Sequence, residues 1–434
     1  MARQTAVEHN NTRPLRNIGF TPRRGCAYIT GNCETLMETT ISHILWYPGH
    51  ELLRPDIVRA DNCYLYDSSR KKYVDLESGV WCTPLGHNNP RITRILTEQA
   101  AQISHTGFNY SSPIVENAAK KVLALLEIEN GVCVFLCSGS EAVEYGVRVA
   151  QSFTDRPLLM TMTDSYFGAY GSAAARESDQ WYCFDWTVCA GCDDKDTCDS
   201  RCEQFGKIPF ERIGGFLFEP GSSSGLVRFP PKKLIQALVA TIKEDNGLLL
   251  VNEVTTGVGR TGQWFGFQHY DISPDVIAMG KGIGNGYPVS VAAFGPEIAK
   301  ALRDQPLNYA QSHQNDPLGA AIVQEVIRVI HDDGLVERTR ALGKQLADGL
   351  TEIAAGCELV KAIRSRGLMA AVELNDDPEC TLTIRVHRQL LQRGYIVGRR
   401  VGVSVLRIDP SLTIDPADID GFLATFSSVL GAEI

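Results

Sequence analysis

Residues 275–288 read Asp-Val-Ile-Ala-Met-Gly-Lys-Gly-Ile-Gly-Asn-Gly-Tyr-Pro, a short apolar run that ends at Lys281 among glycines at 280, 282, 284 and 286. The apolar run, 276–279, has the length of a buried strand bounded by glycine. A lysine delivered at the end of such a strand is partly desolvated, so its amine loses a proton more readily and becomes a nucleophile for an aldehyde. Glycines without side chains leave room for a flat group to approach the backbone. The segment alone also fits a surface lysine in a glycine-rich turn. Its neighbours have to decide.

Outward from this loop, apolar runs of strand length recur at 132–136, 158–162, 215–218, 248–251 and 289–294. Helical spacing of apolar residues appears at 117–126, 141–153, 232–245 and 319–331. Strands alternating with helices predict an α/β layout with a mostly parallel sheet. Past residue 325 helices interleave with strand-like runs at 368–374 and 403–408, which predicts a small α+β C-terminal domain over 326–434 beside a large domain over 60–325. Residues 1–59, rich in arginine, proline and polar side chains, read as an arm that adds to the small domain and wraps a partner subunit.

The chain has 434 residues, enough for two or three domains with substantial cores, and a hydrophobic share of 44% with 21% charged residues is ordinary for a globular protein. A net charge of −9 offers no basic footprint for nucleic acid. No apolar run approaches the roughly 20 residues that span a bilayer, and the first residues lack the apolar centre of a signal peptide, so the expectation is a cytoplasmic protein without membrane contact. Of the thirteen cysteines, Cys183, Cys189, Cys192, Cys198 and Cys202 cluster in an acidic insertion over 183–202. Cys189 and Cys192 form a Cys-x2-Cys pair and Cys198 and Cys202 a Cys-x3-Cys pair, a spacing that fits a structural zinc knot or reduced thiols, with disulfides behind these.

The second chemical segment is Leu-Cys-Ser-Gly-Ser-Glu-Ala-Val-Glu (136–144), where a strand leaves through Ser138, Gly139 and Ser140 into a helix. Free N–H groups at a helix start, the helix dipole and two hydroxyls make a phosphate cradle, although a serine cap alone would look the same. A phosphate cradle beside a lysine that attacks aldehydes points to pyridoxal 5′-phosphate.

These two segments are joined in order by Gly-His-Asn-Asn-Pro-Arg-Ile (86–92), Glu-Pro (219–220), Thr-Gly-Val-Gly-Arg-Thr-Gly (256–262) and Leu-Arg-Ile-Asp-Pro-Ser-Leu-Thr-Ile (406–414). From about residue 40 onward the chain resembles the class III, or omega, aminotransferases of fold type I among pyridoxal-phosphate enzymes. The resemblance implies a large domain with a mostly parallel seven-stranded sheet and a homodimer with shared active sites. It makes Lys281 the Schiff-base lysine and proton carrier, places the phosphate on the Ser138–Gly139–Ser140 turn, and sets Tyr166 against the ring. Phe167 follows Tyr166 where the family has histidine. Ser312 would reach the partner subunit's cofactor. Arg407 would clamp a substrate carboxylate, unless it serves a structural ion pair. Glu219 and Trp81 would line the pocket, Trp81 being equally at home in a core. His313, which stands where the family has an aromatic, would meet a polar end of the substrate.

One departure bears on the reaction. Where the family reads Asp-Glu-Val-Gln-Thr-Gly, residues 252–257 are Asn-Glu-Val-Thr-Thr-Gly. Asn252 and Thr255 thus replace an acid and a glutamine that contact the cofactor, with Val254 between them. A neutral Asn252 stabilises a protonated ring nitrogen less than a carboxylate would and weakens the ring as an electron sink. The expectation is transamination of a small amine or amino acid. The alternative is ammonia-releasing β-elimination on a β-hydroxy, phospho- or phosphono-amine, and racemisation or a cofactor-binding scaffold stands behind these.

Overall fold

The computed structural model describes residues 43–45, 51–107, 109–177, 179–192 and 198–433. Most of the expected arm over 1–59 lies outside them. The described chain opens with three antiparallel strands, β1 (Ile57–Asp61), β2 (Tyr64–Asp67) and β3 (Lys72–Asp75). The next seven are β4 (Val132–Leu136), β5 (Leu158–Met162), β6 (Trp181–Phe184), β7 (Ile213–Phe218), β8 (Leu248–Asn252), β9 (Val276–Met279) and β10 (Ser290–Phe294). They form one sheet in the order β4-β10-β9-β8-β7-β5-β6. Strands β6, β5, β7, β8 and β9 pair in parallel, while β10 runs antiparallel to both β4 and β9. This is the mostly parallel seven-stranded sheet of fold type I.

Burial explains why these runs are apolar without alternation. Every residue of β5, β7, β9 and β10 is buried, as a sheet covered on both faces requires. One cover is the helix Gly139–Ser152, which buries Ala142, Val143, Gly146, Val147, Val149 and Ala150 and packs on β8, β9 and β10. Gly146 lets it lie close, since a Cβ there would sit 2.9 Å from Val276 Cγ1. The helix Pro317–Asp332 starts two residues before the reading at 319, with Pro317 in its first turn after Asp316.

The last five strands are β11 (Val360–Arg366), β12 (Met369–Leu374), β13 (Tyr395–Ile396), β14 (Gly398–Arg399) and β15 (Val405–Ile408). Strands β11-β12-β15-β14 make an antiparallel sheet, and β13 adds in parallel to β3, so the C-terminal region completes a sheet begun near residue 57. Strand β6 is absent from the sequence reading, which treated its neighbourhood as a cysteine-rich insertion. Trp181 and Phe184 on it are buried, and it closes the sheet edge beside β5. No helix among the described residues is long and apolar enough to cross a membrane.

The parallel order places the ends of β4, β5, β7, β8 and β9 along one edge. Residues 138–140, 166, 219, 253–255 and 281 follow those strand ends, and Asn252 is the last residue of β8. A crevice outside the carboxyl ends of parallel strands is where such sheets bind ligands.

Candidate active site

Lys281 opens a short 3-10 turn, Lys281–Gly284, directly after β9. Its φ of 42° places it in the left-handed region, a conformation a non-glycine residue holds only when its surroundings fix it. The side chain is half-buried, and Nζ donates a hydrogen bond to Thr255 Oγ1 at 3.3 Å. Burial pushes its pKa down from the usual lysine value; Cys82 and Glu219 oppose the shift, and Arg407 and Arg400 add to it. A larger neutral fraction makes the amine a nucleophile.

The helix start is in direct touch with the lysine loop, for a Cβ on Gly280 would lie 2.9 Å from Gly139 Cα. Ser138 is committed to a capping box. Its Oγ accepts from the Glu141 N–H at 3.3 Å, while Glu141 Oε2 accepts from the N–H groups of Ser138 at 2.8 Å and Cys137 at 2.9 Å. Gly139 and Ser140 follow as the first two helical residues, whose N–H groups have no acceptor within the helix and are free for an anion. Gly139 is needed there, because a Cβ would stand 2.7 Å from Val254 Cγ1.

A cavity of about 170 Å³ joins these parts, lined by Gly139, Ser140, Tyr166, Phe167, Ser223, Asn252, Val254, Thr255 and Lys281 among others. Tyr166 is half exposed and anchored by its backbone. Its N–H donates to Glu219 Oε2 at 3.0 Å, and its carbonyl accepts from Asn252 Nδ2 at 3.0 Å. Asn252 Oδ1 in turn accepts from the Val254 N–H at 3.1 Å. Both ends of the Asn252 amide are therefore engaged, and a carboxylate there would set an oxygen against the Tyr166 carbonyl. Glu219 is buried, takes a hydrogen bond from Ser223 Oγ at 2.5 Å, and is pushed up to about 7 by desolvation.

Trp81 is buried beside the lysine, with Lys281 Nζ 5.0 Å from its ring centroid. A left-handed turn presents it: Ser78, Gly79, Val80 and Trp81 all have positive φ, between 44° and 65°. Asp75 holds the turn by accepting from the N–H groups of Glu77 and Gly79, both at 2.9 Å, and Ser78 Oγ donates to the Asp409 carbonyl at 2.6 Å. Arg407 packs on the same ring at 3.9 Å but has no exposed side-chain surface. Its Nε meets Asp409 Oδ2 at 3.2 Å, and its Nη1 donates to the Ser223 carbonyl at 3.2 Å. Arg400 and Glu77, which sequence reasoning missed, form an ion pair at 3.2 Å next to Trp81. The signal for Asp409 was readable: an acid two residues from an arginine at a strand end shares its face.

Other expected residues are not gathered at Lys281. Ser312 and His313 are exposed, and His313 lines a separate cavity of about 160 Å³ with Cys137 and Asp316. Asp316 bridges two imidazoles there, His105 at 2.5 Å and His313 at 2.6 Å. Among the described residues, these three form the group of potential metal-ligating side chains whose donor atoms all lie within 4.8 Å. The proposed zinc set Cys189, Cys192, Cys198 and Cys202 is not such a group, and zinc there finds no support. Cys189 instead sits in the core cluster with Trp186 and Phe205 as a small apolar side chain, its thiol pushed up to about 11 by burial and by the neighbouring thiols.

A nucleophilic lysine at a strand end, a helix start with free N–H groups, and a shared cavity at the sheet's carboxyl edge define a pyridoxal-phosphate enzyme of fold type I. The sequence family model for class III aminotransferases matches residues 48–430, and the chain belongs to that family. It is 28% identical to a leucine/methionine racemase of Thermococcus litoralis over 84% of this chain and 87% of that one. It is also 28% identical to an acetylornithine aminotransferase of Aquifex aeolicus, over 86% and 96%. Among solved structures, an aminotransferase of Bacillus anthracis superposes with a TM-score of 0.80 at 25% identity, covering 90% of this chain and 96% of that one.

Proposed function

We propose that the protein transfers the amino group of a small amine or amino acid through Lys281, with pyridoxal 5′-phosphate as cofactor. The observation that carries this reading is the half-buried Lys281 amine, shifted toward its neutral form, in one cavity with the helix start at Gly139 and Ser140. The residues present fit the cofactor. Gly139 leaves the helix start room to lie against Val254, which a Cβ there would meet at 2.7 Å, and Tyr166, Phe167 and Val254 offer the flat, largely apolar walls a ring needs. When bound, the cofactor supplies an aldehyde for the lysine and a ring that accepts electrons.

The chain's own residues do the rest. The N–H groups of Gly139 and Ser140 hold the phosphate. Thr255 Oγ1 accepts from the Lys281 amine and orients it, and that amine would carry the proton at the substrate carbon. Glu219 fixes the Tyr166 backbone and places a titratable carboxyl near the lysine. The assembly we propose is a homodimer in which the exposed Ser312 serves the partner's site.

One observation favours a second reading, ammonia-releasing β-elimination. Asn252 is neutral and locked between the Tyr166 carbonyl and the Val254 N–H, so this position would offer a bound cofactor an amide where the family has a carboxylate. Elimination of a substituent on the neighbouring carbon draws less on the ring as an electron sink. A single-turnover spectrum of the holoenzyme with plain and β-substituted amines, without acceptor and with free ammonia assayed, separates the two. Transamination bleaches the cofactor's visible band without ammonia; elimination releases ammonia and restores the band. Lys281→Ala abolishes both while the protein stays folded, and turnover surviving in that variant would remove Lys281 from the reaction.

A further inference from the structure

The helices Pro90–Gln102 and Pro317–Asp332 pack against each other. Arg91, at the start of the first, pairs with Glu325 at 2.7 Å and with Asp332, at the end of the second, at 3.0 Å, so the two run antiparallel. The segment that leaves the first helix therefore arrives at the beginning of the second, and His105 meets Asp316 there across a sequence separation of 211 residues. Asp316 is the residue just before the helix, a position where aspartate ordinarily caps a free backbone N–H with its carboxylate. Its carboxylate makes no such cap. Oδ1 faces His105 Nδ1 at 2.5 Å and Oδ2 faces His313 Nδ1 at 2.6 Å, and the two rings lie 4.9 Å apart between centroids.

The backbone behind the carboxylate is pinned. Asn315, at φ 61°, donates its N–H to the Phe135 carbonyl and accepts the Phe135 N–H on Oδ1, both at 2.9 Å, which ties the loop to the end of β4. The His313 N–H donates to Gln311 Oε1 at 2.8 Å. Asp316 keeps 14% of its side-chain surface exposed, against 43% for His105 and 60% for His313. Hydrogen-bonded pairs with rings this exposed add little to stability, because water serves the same groups almost as well. The fold thus presents a carboxylate on a fixed stem and two imidazoles that can adjust around it.

We propose that His105, His313 and Asp316 bind a divalent first-row transition ion of the zinc kind, beside the loop that carries Ser312. Two imidazole nitrogens and a carboxylate oxygen suit zinc, cobalt or nickel, whereas magnesium and calcium take oxygen ligands. One donor atom from each of the three side chains already lies within 4.8 Å of the others. At metal–ligand lengths of about 2.0–2.1 Å, tetrahedral ligand atoms stand roughly 3.4 Å apart, so each ring has to back away from Asp316 by a little under about 1 Å. Each Nδ1 gives the ion its lone pair while the ring proton passes to Nε2, so the imidazoles stay neutral. Three protein ligands leave a fourth position to water. The ion ties the segment after Pro90–Gln102 to the loop 311–316 of the same chain. This site lies in a different cavity from Lys281 and does not depend on the aminotransferase reading.

The test titrates the full-length protein, first freed of metal with a chelator, with cobalt chloride, followed by calorimetry and by visible absorption. Uptake of a single cobalt per chain is expected, with the visible d–d band of an ion bound by nitrogen and oxygen; zinc displaces it and excess magnesium does not. His105→Gln and His313→Gln, both at exposed positions, each weaken binding at least about 10-fold, and Asp316→Asn, which keeps the size of the side chain, does the same. Wild-type protein that takes up no cobalt overturns the proposal, and so does uptake that both histidine variants leave within about two-fold of wild type. A strong near-ultraviolet sulfur-to-cobalt charge-transfer band in place of that pattern, retained by both variants, would put the ion on cysteines and overturn it equally.

Discussion

Asn252 shows how one atom can bear on a reaction. Its Nδ2 donates to a backbone carbonyl that a carboxylate oxygen would repel, so Asn252→Asp carries two opposed consequences. The apoprotein should lose stability, about 1–3 kcal/mol for setting an acceptor against a buried acceptor, read as a lower Tm. The donor half-reaction should run faster, because the ring nitrogen gains a charged partner. An unchanged half-reaction rate would show that Asn252 does not tune the ring. Lys281, Gly139, Ser140, Tyr166 and Asn252 were all legible as residues, since each sits in a local motif. Arg400 and Glu77 were not, because their meeting at Trp81 joins positions more than 300 residues apart in the chain.

At the scale of elements, the left-handed turn at Ser78–Trp81 holds a β-branched residue, Val80, at φ 58°. That strain costs on the order of 1–3 kcal/mol, against about 0.4–1 kcal/mol that a glycine loses through a freer unfolded chain. Val80→Gly should therefore stabilise the fold by about 1 kcal/mol, measured as a higher urea midpoint. A lower midpoint would mean that packing by Val80 outweighs its strain. Strands 132–136, 158–162 and 276–279 were readable to the residue because they are short, largely apolar runs, two of them buried throughout and 132–136 buried over its last three residues. β6 was hidden by the cysteines around it, and the pairing of β3 with β13 has no local signature at all, since it depends on partners far apart in the chain.

For the molecule as a whole, buried titratable groups act in opposite directions over one pH window. Glu219 and Glu253 are each pushed up to about 7 by burial from a usual 4.5, so the folded protein keeps protons that the unfolded chain releases. Their contribution is complete below the unfolded value and is lost as pH rises toward 7, on the order of 3 kcal/mol for each. His269 and His387, pulled down to about 4 by burial from 6.5, contribute stability above the unfolded value and lose it as pH falls. Apoprotein Tm measured at pH 5 and pH 7 should show Glu219→Gln gaining on wild type as pH rises and His387→Gln gaining as pH falls. Parallel shifts at both pH values would mean that neither group titrates differently on folding.

By itself the sequence determined the α/β class, the lysine loop, the phosphate turn and the family, because each is written in short-range patterns of apolar period, glycine and helix-start residues. Only the tertiary structure decided which arginine is accessible beside Trp81. Arg407 and Arg400 are seven residues apart and chemically alike. Their difference lies in what the fold packs around each: a buried Asp409 and a strand interior for one, an ion pair with the partly buried Glu77 and a partly exposed side chain for the other. Burial and the partners a side chain meets are properties of the packed chain, and no local pattern encodes them.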